Sequence, residues 1–229
     1  MFINNFDPVA INFFSLEIRW YSLAYIFGIL AGWVLAKRFF INNQGIKIKF
    51  DDYVTYIIFG IIIGGRLGYV LFYNLDYYFE NPIDIFKIWQ GGMSFHGGVI
   101  GIIIVSVWFA NKNQQNVFSY LDVISLVAPI GIFFGRISNF INSELYGIQT
   151  SLPWGVKFIK VDNLYRHPSQ LYEAFLEGLI LFLFLNFVIT KKNKTGRHSA
   201  YFLIGYGISR SIVEFYKSPD SVWGNDFLL

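Results

Sequence analysis

Six long apolar stretches dominate this sequence and limit what it can fold into. They cover residues 20–39, 54–74, 94–110, 121–141, 170–190 and 199–216. About 20 mostly apolar residues are needed for a helix to span a bilayer. Charged residues make up only 14% of the chain, against about 25% in soluble domains. The pattern predicts an all-α polytopic membrane protein with six spanning helices, forming a single transmembrane domain over residues 1–229.

The charges between the stretches predict the orientation. The loops at about 37–53, 111–120 and 191–198 hold nine Lys and Arg residues and two acids, whereas the remaining loops and ends hold six Lys and Arg and nine acids. Because basic loops stay on the cytoplasmic side, we expect the N-terminus outside. Residues 142–169 are then extracytoplasmic and predict a small cap, and short strands around residues 154–161 are one arrangement that the sequence leaves open.

The composition argues against several classes of function. The chain has no cysteine, which excludes disulfides, thiolate metal sites and a cysteine nucleophile. Its net charge is only +3, and no basic run is interleaved with aromatic residues in a polar setting, so we expect no nucleic-acid partner. Zinc-protease, serine-hydrolase and phosphate-loop motifs are missing from the sequence. We therefore expect neither a metal nor a cofactor.

Three arginines, Arg66, Arg136 and Arg210, lie inside apolar stretches. With a rise of 1.5 Å per residue, each is about 16–20 Å from the inner face of a hydrocarbon core about 30 Å thick. On the predicted topology they share one level in the outer half of the bilayer. The planar guanidinium binds phosphate through two hydrogen bonds, so this level predicts a site for an anionic phospholipid. Snorkelling of the arginines to the headgroups is the alternative.

Two histidines lie at the outer ends of apolar stretches. His96 is flanked by the glycine pairs 91–92 and 97–98. Neutral imidazole accepts a proton near physiological pH, so we predict a catalytic or ligand-binding role for His96, with a structural role as the alternative. For His167, ligand binding and simple capping are equally open. Plain helix packing is the expected role of Gly60, Gly101 and Gly131.

Carboxylates and tyrosines accompany the arginines. Asn139 and Glu144 follow Arg136, and Glu144 is a candidate for neutralising an arginine. Glu214 lies four residues after Arg210, so the two side chains share a helical face and we expect an ion pair. Tyr206 offers a hydroxyl on the same helix.

Four segments together resemble one protein family. Residues 135–147 (GRISNFINSELYG), 64–69 (GGRLGY), 91–98 (GGMSFHGG) and 166–173 (RHPSQLYE) are similar to blocks of the bacterial prolipoprotein diacylglyceryl transferases, and the likeness extends from about Phe6 to Pro219. The resemblance implies transfer of the diacylglyceryl group of phosphatidylglycerol to the lipobox cysteine of preprolipoproteins, with formation of a thioether and release of glycerol phosphate. It also implies a bacterial inner-membrane location.

The resemblance assigns roles to individual residues. It implies that His96, Arg136 and Arg210 are catalytic, with His96 as a candidate base, although which group is the general base stays open. It implies phosphatidylglycerol-binding roles for further residues, and Arg66 and His167 join that set on their own placement. The implied substrate-binding residues are Arg136, which is also catalytic, Asn139, Glu144, Gly147, Tyr21 and Tyr206. The expected partners are phosphatidylglycerol, preprolipoprotein signal peptides and membrane lipids.

The C-terminus departs from the family pattern. The family usually has a seventh helix, whereas residues 218–229 are too short to span a membrane. We expect lower stability or altered substrate entry, with every residue named above retained. The alternative function is a non-enzymatic anionic lipid transporter or lipid-binding membrane protein. Against transport, the polar level is one-sided and no internal repeat is evident.

Overall fold

Five helices in the computed structural model are long and apolar enough to cross a membrane, within the described residues 1–13, 16–188 and 194–219. They are Trp20–Phe40, Gln44–Tyr73, Phe95–Lys112, Val117–Asn142 and Ser169–Phe187. The all-α polytopic membrane class is thereby confirmed. Lys191 and Lys192, which belong to the third loop predicted to be cytoplasmic, lie outside the described residues. So does most of the C-terminal segment that was expected to be too short to span.

The helices have the following bounds. Helix α1 (Trp20–Leu35) continues as a π-helical turn at Ala36–Phe40 and is followed by α2 (Gln44–Tyr73) and α3 (Leu75–Glu80). Short 3₁₀ turns at Pro82–Phe86 and Ile88–Gln90 lead to α4 (Phe95–Lys112) and α5 (Val117–Asn142). Helices α6 (Ser169–Glu173) and α7 (Leu181–Leu183) are joined and extended by π-helical turns at Ala174–Ile180 and Phe184–Val188. Helix α8 is Arg197–Glu214.

The chain divides into two compact units. The first contains Met1–Phe40 and Asp122–Leu229, and the second contains Ile41–Leu121. In the first, the buried leucines Leu126, Leu181 and Leu185 form a core that aromatic side chains cover. The prediction of a single domain over residues 1–229, with a cap at 142–169, stays a prediction.

Glycines bring α2 and α4 of the second unit into close contact. A Cβ atom added to Gly60 would lie 2.7 Å from the Val105 side chain and 3.0 Å from the Gly101 carbonyl oxygen. Packing as the role of Gly60 and Gly101 is thereby confirmed. Between the same two helices, the buried Tyr53 hydroxyl hydrogen-bonds to Ser106 at 2.8 Å. Small residues let two helix backbones approach in this way in a membrane.

Helix α2 begins ten residues earlier than the predicted span. Asn43 caps it, since its side-chain oxygen accepts hydrogen bonds from the amides of Gly45 (2.8 Å) and Ile46 (3.4 Å). The first turns carry Lys47 and Lys49 and are too polar to register as apolar. The predicted stretch 54–74 therefore lies within the observed helix almost to its end, but the helix itself starts at Gln44.

The first unit carries a small sheet that joins distant parts of the chain. Strand β1 (Phe2–Asn4) pairs in parallel with β4 (Val156–Phe158), which pairs antiparallel with β5 (Tyr165–Arg166). Strands β2 (Val9–Phe13) and β3 (Leu16–Arg19) form a separate hairpin. Strand pairing puts residues 2–4 on the same side of the membrane as residues 156–166. Four candidate spans lie between them, as this arrangement requires.

Helix α8 is held at both ends. Near its start, the Asp122 carboxylate accepts hydrogen bonds from the amides of Gly196 (2.7 Å) and Ser199 (2.9 Å). Beyond its end, Lys217 forms a β-bridge with Gly147, which follows the far end of α5. The two ends of α8, which is 18 residues or about 27 Å long, are thus attached near the two ends of α5. This connectivity supports the prediction of a sixth span.

Candidate functional site

Two of the three predicted arginines meet in the first unit at one carboxylate. Glu173 of α6 is fully buried and lies between them. Its Oε2 is 3.2 Å from Arg136 Nη1 of α5, and its Oε1 is 2.5 Å from Arg210 Nη1 of α8. Three helices that are far apart in sequence therefore converge on a single buried charge. We call Arg136, Glu173 and Arg210 the arginine cluster.

Each arginine of the cluster has a second acidic partner. The fully buried Glu177 places Oε2 3.4 Å from Arg136 Nη2. Glu214 places Oε2 2.6 Å from Arg210 Nη2, which confirms the predicted pair within α8. Since Glu173 and Glu177 are four residues apart, they present both carboxylates on one helical face.

The exposure of these side chains is uneven. Glu173 is 0% exposed, whereas Arg136 retains 18% and Arg210 28% of its side-chain surface. A buried charge needs a partner of opposite sign, and the acids supply it from within the unit. The guanidinium groups keep an accessible side, so the arrangement can bind an anion there. Tyr206 lies near enough to interact electrostatically with both arginines.

A strained turn follows α5 and presents Glu144. Ser143 and Leu145 on either side of it adopt φ values of 62° and 53°, a region that residues other than glycine rarely occupy. Asn139 Nδ2 donates to Glu144 Oε2 at 3.2 Å, and Asn142 Nδ2 donates to its Oε1 at 3.4 Å. Within the described residues, Glu144 is therefore oriented by two amides. Its predicted pairing with an arginine stays a prediction.

Gly147 and His167 lie together beyond this turn. The Gly147 amide donates to the His167 carbonyl at 2.9 Å, and a Cβ at position 147 would lie 2.6 Å from that residue. His167 is buried, and its Nδ1 lies 3.1 Å from the Tyr172 hydroxyl. Burial lowers the pKa of His167, which favours the neutral ring. Close backbone contact explains why a glycine stands at position 147.

Two further contacts lie in the first unit, one within the loop 142–169 and one at the start of α1. Arg166 Nη2 and the Asp162 carboxylate lie 2.6 Å apart, and this hydrogen bond lowers the pKa of Asp162. Tyr21, at the start of α1, places its hydroxyl 3.4 Å from that of Tyr25. Tyr21 is also within electrostatic range of Glu144 and Arg136.

The remaining predicted residues belong to the second unit. His96 is exposed in the first turn of α4, with its ring 5.7 Å from that of Phe95. Arg66 of α2 is only 4% exposed and donates to backbone carbonyls of the segment that precedes α4. The common level of Arg66 with the arginine cluster stays a prediction.

Comparison with known proteins identifies the family. Residues 8–228 match the family model described as prolipoprotein diacylglyceryl transferase. The chain belongs to this family. A phosphatidylglycerol–prolipoprotein diacylglyceryl transferase of Rickettsia bellii (strain OSU 85-389) is 48% identical over 221 residues, which cover 94% of this chain and 84% of the relative. One of the same name from Nitratidesulfovibrio vulgaris (strain DP4) is 48% identical over 219 residues, covering 93% and 82%.

Sequence reasoning missed two acids of this family member. Glu173 and Glu177 were not among the predicted site residues, yet both are fully buried beside Arg136. The signal was present, since two carboxylates four residues apart in an apolar stretch demand partners inside the protein. Among the described residues, no group of three or more His, Asp and Glu side chains is placed to hold a metal ion.

Proposed function

We propose that this chain transfers the diacylglyceryl group of phosphatidylglycerol to the lipobox cysteine thiol of preprolipoproteins. The product is a thioether, and glycerol phosphate is released. Curated relatives named for these two substrates match 93–94% of the chain. The observation that carries the proposal is the arginine cluster, in which one buried carboxylate orients two partly accessible guanidinium groups.

The arginine cluster is the proposed site for the phosphate of phosphatidylglycerol. Guanidinium groups bind phosphate oxygens through paired, charge-assisted hydrogen bonds. Glu173 is fully buried and stays in place, whereas the Glu214 side chain is 51% exposed. Glu214 is therefore the partner that an arriving phosphate can displace from Arg210. Tyr21, Asn139, Glu144, Gly147, Tyr206 and His167 are proposed to shape the rest of the lipid site.

The chemistry follows from the charges that change. The cysteine thiol has an ordinary pKa of about 8.5 and reacts as thiolate, so a base must remove its proton. We assign this role to His96, which is exposed at the start of α4. The thiolate sulfur bonds to the glyceryl carbon that carries the phosphate, the carbon–oxygen bond breaks, and its electron pair stays on the phosphate. Arg136 and Arg210 stabilise that growing charge.

The proposed setting is the bacterial inner membrane, with the N-terminus outside. The pairing of β1 with β4 supports one side for the N-terminus and residues 156–166. The basic loops support the opposite side as cytoplasmic. A transferase in this orientation meets preprolipoprotein signal peptides and outer-leaflet lipids at its site.

One assay tests the activity. The purified chain is incubated with phosphatidylglycerol vesicles and a lipobox peptide, and the mass of the peptide is measured by mass spectrometry. We expect the mass of a diacylglyceryl adduct, and none on a peptide with serine in place of the cysteine. Movement of lipid without an adduct would support the transport alternative.

The role of His96 has its own test. The variant His96→Ala should form no adduct while still binding phosphatidylglycerol, because the base is lost and the phosphate site is not. Binding is measured by native mass spectrometry in the same detergent. Parallel loss of lipid binding would make His96 part of the binding site instead of the base.

A further inference from the structure

We propose that Arg66 is a positioning residue that folds the segment 84–92 and thereby fixes the start of α4, which carries His96. The part that concerns catalysis rests on the proposed function. The claim that Arg66 holds the segment 84–92 in place is independent of the proposed function. The evidence lies entirely within the second unit of the chain.

The guanidinium of Arg66 matches a set of backbone carbonyl oxygens. Arginine has five N–H donors, and five carbonyls surround this one. Nε donates to Ile85 (2.9 Å), Nη1 to Gly91 (2.5 Å) and Gly92 (3.1 Å), and Nη2 to Asp84 (2.6 Å) and Lys87 (3.4 Å). Because every donor has an acceptor, a phosphate oxygen could bind Arg66 only by replacing a carbonyl.

The surroundings of Arg66 stabilise its guanidinium charge in this buried position. The side chain is 4% exposed, and its guanidinium carbon lies 5.2 Å from the ring centroid of the buried Tyr78. The Asp84 carboxylate, which could have paired with Arg66, instead contacts Lys87 Nζ (2.5 Å) and the Tyr77 hydroxyl (2.7 Å). Arg66 thus interacts with peptide dipoles and an aromatic face, as expected of a folding element.

Two glycines allow the backbone to present its carbonyls. Gly91 and Gly92 have φ values of 87° and 77°, which glycine adopts without strain. A Cβ at position 92 would lie 2.9 Å from Arg66 Nη1 and 2.6 Å from the Tyr69 ring. Any other residue at position 92 would push the arginine away from its acceptors.

The same segment leads directly into α4. The Ser94 amide donates to the Gly65 carbonyl, beside Arg66, at 2.8 Å. The Ser94 side chain caps α4 by accepting from the Gly97 amide at 3.2 Å. His96 lies between these two attachments. Displacing the segment from Arg66 would therefore move the imidazole, and a misplacement of 1 Å can cost about 100-fold in rate.

The chain has no cysteine, so one introduced thiol can be labelled cleanly. A spin label at Trp89→Cys, a position that is 77% exposed, reports the mobility of the segment. Arg66→Gln should increase the mobility of the label and lower kcat by about 100-fold, while KM for phosphatidylglycerol stays within about twofold. Arg66→Lys should give the same rise in mobility and the same fall in kcat, because one ammonium group cannot reach five carbonyls.

Two further variants control the experiment. Gly92→Ala keeps every charge and should reproduce both the mobility and the kcat loss. Lys87→Gln removes only a surface ion pair of the same segment and should change neither.

A rise in KM for Arg66→Gln with an unchanged label would overturn the proposal in favour of lipid binding by Arg66. Normal kcat in Gly92→Ala with a mobile label would overturn the link to His96. If the wild-type chain forms no adduct, the proposed function fails, and the label alone still decides whether Arg66 orders the segment.

Discussion

Glu173 is the residue whose replacement tests the arginine cluster most directly. It is fully buried and joins Arg136 and Arg210 at 3.2 and 2.5 Å. Glu173→Gln keeps the shape of the side chain and removes its charge. Two guanidinium groups then share a neutral amide, so both lose their common partner.

The size of the effect follows from burial and from the partners that remain. Removing one member of a buried ion pair costs about 3–5 kcal/mol of folding free energy. Arg136 keeps Glu177 at 3.4 Å, and Arg210 keeps Glu214 at 2.6 Å. We therefore expect the lower end of this range, about 3 kcal/mol.

Glu214→Gln is the matched control. It removes a carboxylate from the same Arg210, but the Glu214 side chain is 51% exposed. An exposed pair contributes about 1 kcal/mol or less. The double variant should lose more than the sum of the two, because Arg210 then has neither carboxylate.

The measurement is reversible unfolding in mixed detergent, followed by fluorescence, with adduct formation assayed on the same samples. We expect Glu173→Gln to be clearly less stable than Glu214→Gln and to have lower transfer activity. Equal, small losses for both variants would refute the view that a buried carboxylate holds the two arginines together.

Four further predictions concern other residues. Gly97→Ala should lower the free energy of unfolding by at least about 1–3 kcal/mol, because the added methyl group would clash with the Gly64 carbonyl oxygen. Thermal unfolding measures the loss. Gly131→Ala should be nearly neutral, since no described heavy atom lies within 4 Å of the new Cβ. Arg136→Lys should lose most transfer activity in the peptide assay, since a lysine cannot hold two carboxylates and a phosphate; near-normal turnover would contradict this. Because burial lowers the pKa of His167, the folded chain binds this proton less tightly than the unfolded chain. Stability should therefore fall as pH drops below about 6.5, and melting curves of His167→Gln should lack that component.

The spans could be predicted because apolar length is a local property of the sequence. The N-terminal strand β1 could not, since its partner β4 lies near the other end of the chain. The start of α2 was missed for another reason. Its first turns are polar, and only the cap at Asn43 marks where the helix begins.

Part of the candidate site could be predicted from local sequence, and the part that depends on helix packing could not. Arg136 and Arg210 stood out because a charge inside an apolar stretch is costly. Their shared partner Glu173 did not, because its role depends on how three helices pack. The acceptors of Arg66 are backbone carbonyls, which leave no mark on the sequence except the glycine pair 91–92.

The pairing of β1 with β4 bears on how the protein is made. Residues 2–4 meet residues 156–158, so the first strand must wait for most of the chain to be synthesised. At about 5–20 residues per second, the ribosome needs roughly 8–30 s to add the intervening residues. During that interval Phe2 and Phe6 lack their final neighbour Phe140. The sheet of β1, β4 and β5 is thus among the last parts of the protein to assemble, after the four candidate spans between its strands have been synthesised.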